Sequence, residues 1–282
     1  MSASGGSAPN GSPPDRSASV RAAPYGSSLD SSAPYGSPPD SSPSSGSSSG
    51  GLLFGMSTFK LKMLAIITML VDHAGIALLP GNSPTYWVFR VIGRLSFPIF
   101  AFLLVEGYYH TRNIKKYLVR LAIFALISEI PYNLVRSGNV FYLKAQNIYL
   151  TLFIGLIIIY IVDRYIFRKW YLTILVISLL FFAAEFLKAD YGAYGLSVIL
   201  MFYILRYDRF KAAASFGVLT LLLSGFSILT SGDITTGIQA FAVFSILPIC
   251  AFNGEKGYSM KYFFYAFYPA HLLALYALSL LL

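Results

Sequence analysis

Cysteine, charge and the common catalytic signatures are what this sequence is short of. Its one cysteine, Cys250, lies in an apolar run, so it allows neither an internal disulfide nor a CxxC metal site, and it reads as a small buried apolar residue. Only 12% of the 282 residues are charged, against 56% hydrophobic, which is the composition of a membrane protein rather than a soluble globular one. There is no HExxH, Walker loop, GxGxxG or GxSxG, so metalloprotease and nucleotide-hydrolysing readings have no support. No long apolar segment precedes Gly51, which excludes a secretory signal peptide in that stretch. The net charge of +9 would suit nucleic acid, but the basic residues sit in short loops between apolar runs, so no nucleic-acid partner is expected.

Residues 1–55 are rich in Ser, Gly and Pro and carry a ten-residue repeat: APNGSPPDRS from Ala8, APYGSSLDSS from Ala23 and APYGSPPDSS from Ala33. With so little to bury, this tail reads as disordered; an equal alternative is a natural start at Met56 with upstream sequence before it. Residues 56–282 form the second unit, an all-α polytopic membrane helix bundle of about nine transmembrane helices. The expected spans are 61–79, 86–109, 114–135, 148–163, 170–187, 196–205 (beginning as early as Gly192), 212–229, 234–252 and 262–282.

The loops between these spans alternate in charge. Lys60 and Lys62; Arg112, Lys115, Lys116 and Arg120; Arg164, Arg168 and Lys169; Arg206, Arg209 and Lys211; and Lys256 and Lys261 all fall on one side. Only Arg136, Lys144 and Lys188 fall on the other. The positive-inside rule then predicts a multi-pass membrane protein with its amino terminus in the cytoplasm and the bilayer as its first partner.

The stretch Arg90–Arg112, RVIGRLSFPIFAFLLVEGYYHTR, organises the chain. It is as apolar as a span, yet it holds Arg90 and Arg94 near one end, Glu106 near the other, and Pro98 between them, where a kink is expected. Charges inside a membrane helix cost about 2.5 kcal/mol or more each, so they face a polar interior, a partner or a ligand. At about 1.5 Å rise per residue, Asp72 and His73 of span one fall past mid-membrane. Arg90, Arg94 and Glu129 fall in the same outer half, with Tyr132 and Asn133 on the face of Glu129, and His271 lies near the middle of the last span. Gln146, Asn147 and Thr151 open the fourth span, and Glu185 ends the fifth. The convergence predicts a polar cavity lined by spans one, two, three and nine at least. A histidine there can act as a general base, and two arginines one turn apart can hold a carboxylate or an oxyanion.

The segments LKMLAIITMLVDHAG, IGRLSFPIFAFLLVEGYYHTRN, YLVRLAIFALISEIPYNL and YPAHLLALY resemble the TraX family, over about Phe59–Leu282. The resemblance implies a polytopic inner-membrane protein associated with conjugation, similar to integral-membrane acyltransferases. It implies acetyl transfer from cytosolic acetyl-CoA to an acceptor such as the amino terminus of a pilin subunit, or to another amine. On that reading His73 is the base, oriented or charge-balanced by Asp72, with His271 as the rival base. Arg90 or Arg94 polarises the thioester, Glu129 holds the acceptor amine, and Arg112, Lys115 and Lys116 contact the donor's phosphates. Direct transfer and an acyl-histidine both stay open. A transporter or channel that uses the buried charges for substrate or proton passage is the alternative, followed by a non-catalytic assembly component.

Overall fold

The computed structural model describes residues 55–282; apart from Gly55, the tail reading lies outside the described residues. Among the described residues the chain is helical throughout, with two isolated bridges and no strand. The helices are α1 (Thr58–Leu78), α2 (Pro84–Gly93), α3 (Ser96–Tyr109), α4 (Ile114–Ser137), α5 (Ile148–Tyr165), α6 (Trp170–Phe186), α7 (Gly192–Ile204) and α8 (Arg209–Ser231). A 3-10 helix (Ile234–Ser245), α9 (Ile246–Cys250) and α10 (Lys261–Ser279) complete the chain.

The boundaries follow local chemistry. Side-chain oxygens of Ser57, Asn113, Asn147 and Asp208 accept backbone N–H bonds at the starts of α1, α4, α5 and α8. Gly138 and Gly232 end α4 and α8 in the left-handed conformation, at φ 70° and 68°, where a side chain would be strained.

α1, α2 running on through α3, α4, α5 and α8 are long and apolar enough to cross a membrane. α6, α7 and the segment Ile234–Cys250 are shorter apolar helices. The apolar order is the one the sequence predicts, with one difference in kind. The eighth span is mostly a 3-10 helix, whose i→i+3 bonds make a narrower, longer rod from the same residues.

α3 and α5 form the centre: Ser96–Ile99 and Ala101–Val105 are buried without a break, as are Leu156, Ile158 and Ile159. α6 lies at the outside, burying only Thr173 and Ala184 while Leu179, Phe182 and Phe186 stand more than half exposed. α4 and α8 show similar bare apolar stripes, such as Leu126 and Leu229. Apolar surface on this scale is what a bundle shows to lipid.

Pro98 breaks the second span, but one turn earlier than the sequence suggests. Proline lacks an N–H and its ring crowds the carbonyl four residues back, which here belongs to Arg94. α2 therefore stops at Gly93, and α3 resumes at Ser96. The gap is closed by tighter bonds, Arg94 N–H to Val91 O and Leu95 N–H to Ile92 O. Arg94 then turns its Nε back to the Arg90 carbonyl at 3.2 Å. Pro269 in α10 does the equivalent job: the carbonyl it frees, that of Tyr265, accepts the Tyr149 hydroxyl at 3.1 Å.

Candidate active site

The break in the second span brings two arginines onto Asp72. Arg90 Nη1 donates to Asp72 Oδ2 at 2.7 Å, and Arg94 Nη2 donates to both carboxylate oxygens at 3.1 Å. All three side chains are largely buried. Such an approach requires a bare backbone: a Cβ on Gly93 would lie 2.2 Å from Asp72 Oδ1. One carboxylate against two guanidinium groups leaves net positive charge, which suits an oxyanion or carboxylate in the space beside it. Arg94 reaches further, to Gln239 Oε1 at 3.4 Å, and Gln239 in turn donates to the Tyr194 hydroxyl. The 3-10 helix and α7 thereby help to hold the guanidinium.

Asp72 is thus turned to the arginines and not to His73, because neighbours on a helix point about 100° apart. His73 meets His271 instead, Nδ1 to Nε2 at 2.8 Å, with the rings stacked at 23°. His271 Nδ1 lies 2.8 Å from the Phe267 carbonyl. A carbonyl can only accept, so with neutral rings His271 carries its hydrogen on Nδ1 and its Nε2 must accept. His73 therefore donates from Nδ1, and the lone pair rests on His73 Nε2. The sequence offers these histidines as rival bases; in the structure they are hydrogen-bonded to each other.

These groups line a cavity of about 80 Å³ that His73 enters and His271 does not. Its walls come from α1, from the junction of α2 and α3, from α4, the start of α5 and α10, and from Asp190 and Tyr191 between α6 and α7. Arg94 lies over the Tyr191 ring at 6.0 Å, and Tyr191 stacks on Phe97 at 3.9 Å. Asp190 is accessible within the cleft. Desolvation there pushes its carboxyl up to about 6, against the opposing pull of Arg94.

Glu129 is placed elsewhere. It does not line this cavity, and it accepts from Asn147 Nδ2 at 2.5 Å, while the same amide also donates to the Ala125 carbonyl. Glu129 thus ties α4 to the start of α5, and the carboxylate that joins Asp72 in the cleft is Asp190. Glu129→Ala is expected to cost roughly 1–3 kcal/mol of stability, because it strips a buried amide of a partner. Thermal unfolding in detergent measures that loss, and the cavity side chains should keep their arrangement. Glu185 likewise has a local task, accepting the Ala193 N–H at the start of α7. Arg112, Lys115 and Lys116 are exposed and line neither cavity. A run reading KADYG gave no reason to single out Asp190, since a lone acid in a short loop is ordinary.

A second, larger cavity of about 830 Å³ lies toward the other end of the helices. The first turns of α1 and α10, the end of α3, the start of α4 and the 252–260 loop enclose it.

Fold and site together define a polytopic membrane helix bundle built around a buried histidine pair and an arginine–aspartate cluster. The chain belongs to the TraX family, whose model, described as TraX protein, matches residues 57–279. It is 32% identical over 236 residues, 77% of this chain and 93% of the relative, to a protein of Dichelobacter nodosus named "Probable fimbrial assembly protein FimC, serogroup H1". It is 25% identical over 152 residues, 53% of this chain and 56% of the relative, to an uncharacterised protein of Rickettsia prowazekii (strain Madrid E). No solved structure matches the chain.

Proposed function

We propose that the chain is an integral-membrane acetyltransferase working in pilin or fimbrial assembly. It would move acetyl from cytosolic acetyl-CoA to an amine, such as the amino terminus of a pilin subunit. The observation that carries this reading is the lone pair on His73 Nε2 beside a cavity that is also lined by Arg90 and Arg94, both bonded to Asp72, and by Arg136 and Asp190. TraX membership and the likeness to a protein named for fimbrial assembly support the setting. The count of basic residues supports a cytoplasmic position for the larger cavity and an outward one for the smaller.

The acceptor enters as an ammonium held by Asp190 and gives one proton to solvent. Its nitrogen then attacks the thioester carbonyl, passing a second proton to His73 Nε2 as the C–N bond forms. The negative charge on the carbonyl oxygen sits beside Arg90 and Arg94. Collapse breaks the C–S bond, and the departing thiolate takes the proton back from His73. The products are an N-acetylated amine, coenzyme A and one solvent proton, with the imidazole neutral again.

Two expectations test the scheme. Labelled acetyl-CoA should mark peptides with a free amino terminus and spare those with a blocked one. Label on neither, together with electrogenic uptake of a solute, would return the buried charges to transport. Asp190 must be ionised to hold an ammonium, and desolvation pushes its carboxyl up to about 6. Acceptor KM should therefore rise as pH falls through that value, and Asp190→Asn should have a high KM at every pH without that limb.

A further inference from the structure

We propose that the larger cavity binds the phosphate-bearing end of the acyl donor through Lys62, Arg120, Lys256 and Lys261, and that Phe100 is the wall across which donor and acceptor meet. The proposal rests on the acetyltransferase reading above. At about 830 Å³ the cavity is of the size that takes a cofactor. Four cationic side chains line it against one carboxylate, Glu106, which lies 3.7 Å from His110. Among the described residues none of the four cations has a carboxylate within ion-pair distance.

Three of them rest on aromatic faces instead: Lys62 over Phe264 at 5.4 Å, Arg120 over Tyr117 at 5.3 Å and Lys261 over Tyr262 at 4.9 Å. Arg120 Nε is buried with no hydrogen-bond partner. Two half-buried cations, Lys62 and Arg120, and two exposed ones, Lys256 and Lys261, around one cavity with no anion of their own call for one from outside. Phosphates on a nucleotide supply several charges at once, and the tyrosine-rich wall offers rings on which a base can stack. The loop that carries Lys256 is held over α1 by paired backbone bonds, Met56 N–H to Ala251 O, Asn253 N–H to Met56 O and Thr58 N–H to Glu255 O.

The two cavities meet end to end. Phe100 lines both. Ile148 faces the smaller and Tyr149 the larger, and on α10 Tyr268 and Tyr265, one turn apart, divide in the same way. A donor seated at the basic end can therefore present its thioester at Phe100, on the far side of which stands the His73 cavity.

The test is binding of coenzyme A itself to the full chain in lipid nanodiscs, by titration calorimetry, with acetyl transfer followed in parallel. Lys62→Gln/Arg120→Gln should weaken coenzyme A at least tenfold. So should Lys256→Gln/Lys261→Gln, whose exposed positions leave the packing untouched. Arg112→Gln/Lys115→Gln/Lys116→Gln should stay within twofold of wild type. If only that triple variant loses coenzyme A, or both cavity pairs keep it, the cavity assignment is overturned while transfer by wild type leaves the enzyme reading standing. If wild type neither binds coenzyme A nor transfers acetyl, both fall together.

Discussion

Acetyl transfer is expected to fall at least a hundredfold in His73→Ala, the loss of a general base being worth on the order of 10²–10⁴ in rate. The rate is read from labelled acetyl-CoA with wild-type and variant membranes matched for inserted protein. The supporting ring gives a graded companion. His271→Ala leaves His73 Nδ1–H without its acceptor and frees the ring to turn or switch tautomer, so a smaller loss is expected there. In His271→Gln the amide oxygen can accept that hydrogen, and part of the rate should return. A His73→Ala protein that transfers at the wild-type rate would remove His73 as the base. Full activity in His271→Ala would remove the hydrogen-bond relay.

Asp72→Ala should be the most destabilising single change in the cluster, by about 3–5 kcal/mol, because it leaves two buried guanidinium groups facing each other with no anion between them. Unfolding in detergent against wild type measures this. Removing one cation together with the anion, as in Asp72→Ala/Arg90→Ala, should recover a good part of the loss, since the remaining cost is that of a single unpaired charge. If the double variant is as unstable as the sum of the single changes, the three side chains do not act as one unit.

Much of the bundle was legible because hydropathy is a property of long runs. Nine apolar segments stand in the sequence, and the helices follow their order. Backbone detail was less legible. Nothing in ITTGIQAFAVFS distinguishes an α-helix from a 3-10 helix, and the segment's neighbours, α8, α2 and α3, are distant in sequence or unreadable from it. The break before Pro98 could be placed correctly only by following its ring back one turn to the Arg94 carbonyl.

For the site, depth was readable and partners were not. Asp72, His73, Arg90 and Arg94 do lie together, because a rise per residue converts directly into a distance along the membrane normal. Which face each presents depends on helix rotation, and a small rotation decides whether Asp72 serves a histidine or two arginines. Glu129 lies in the outer half by the same count and still misses the cavity, because Asn147 claims it. Charge density is highest in the basic loop at Arg112–Lys116, which lines neither cavity. Lys62 and Arg120, already inside their helices, resemble ordinary topology signals and line the cavity.

The aromatic wall at Phe100 also has an electrical consequence. With the larger cavity facing the cytoplasm and the smaller one the outside, as proposed above, the insulating layer between them is thin, and the potential across the membrane falls over a few side chains near Phe100. About 2.3 kcal/mol per elementary charge per 100 mV acts over that short distance. The ring is then a dielectric plug as well as a wall. Phe100→Gly should join the two cavities and make the protein conduct in planar bilayers, whereas wild type should be silent at the same voltage.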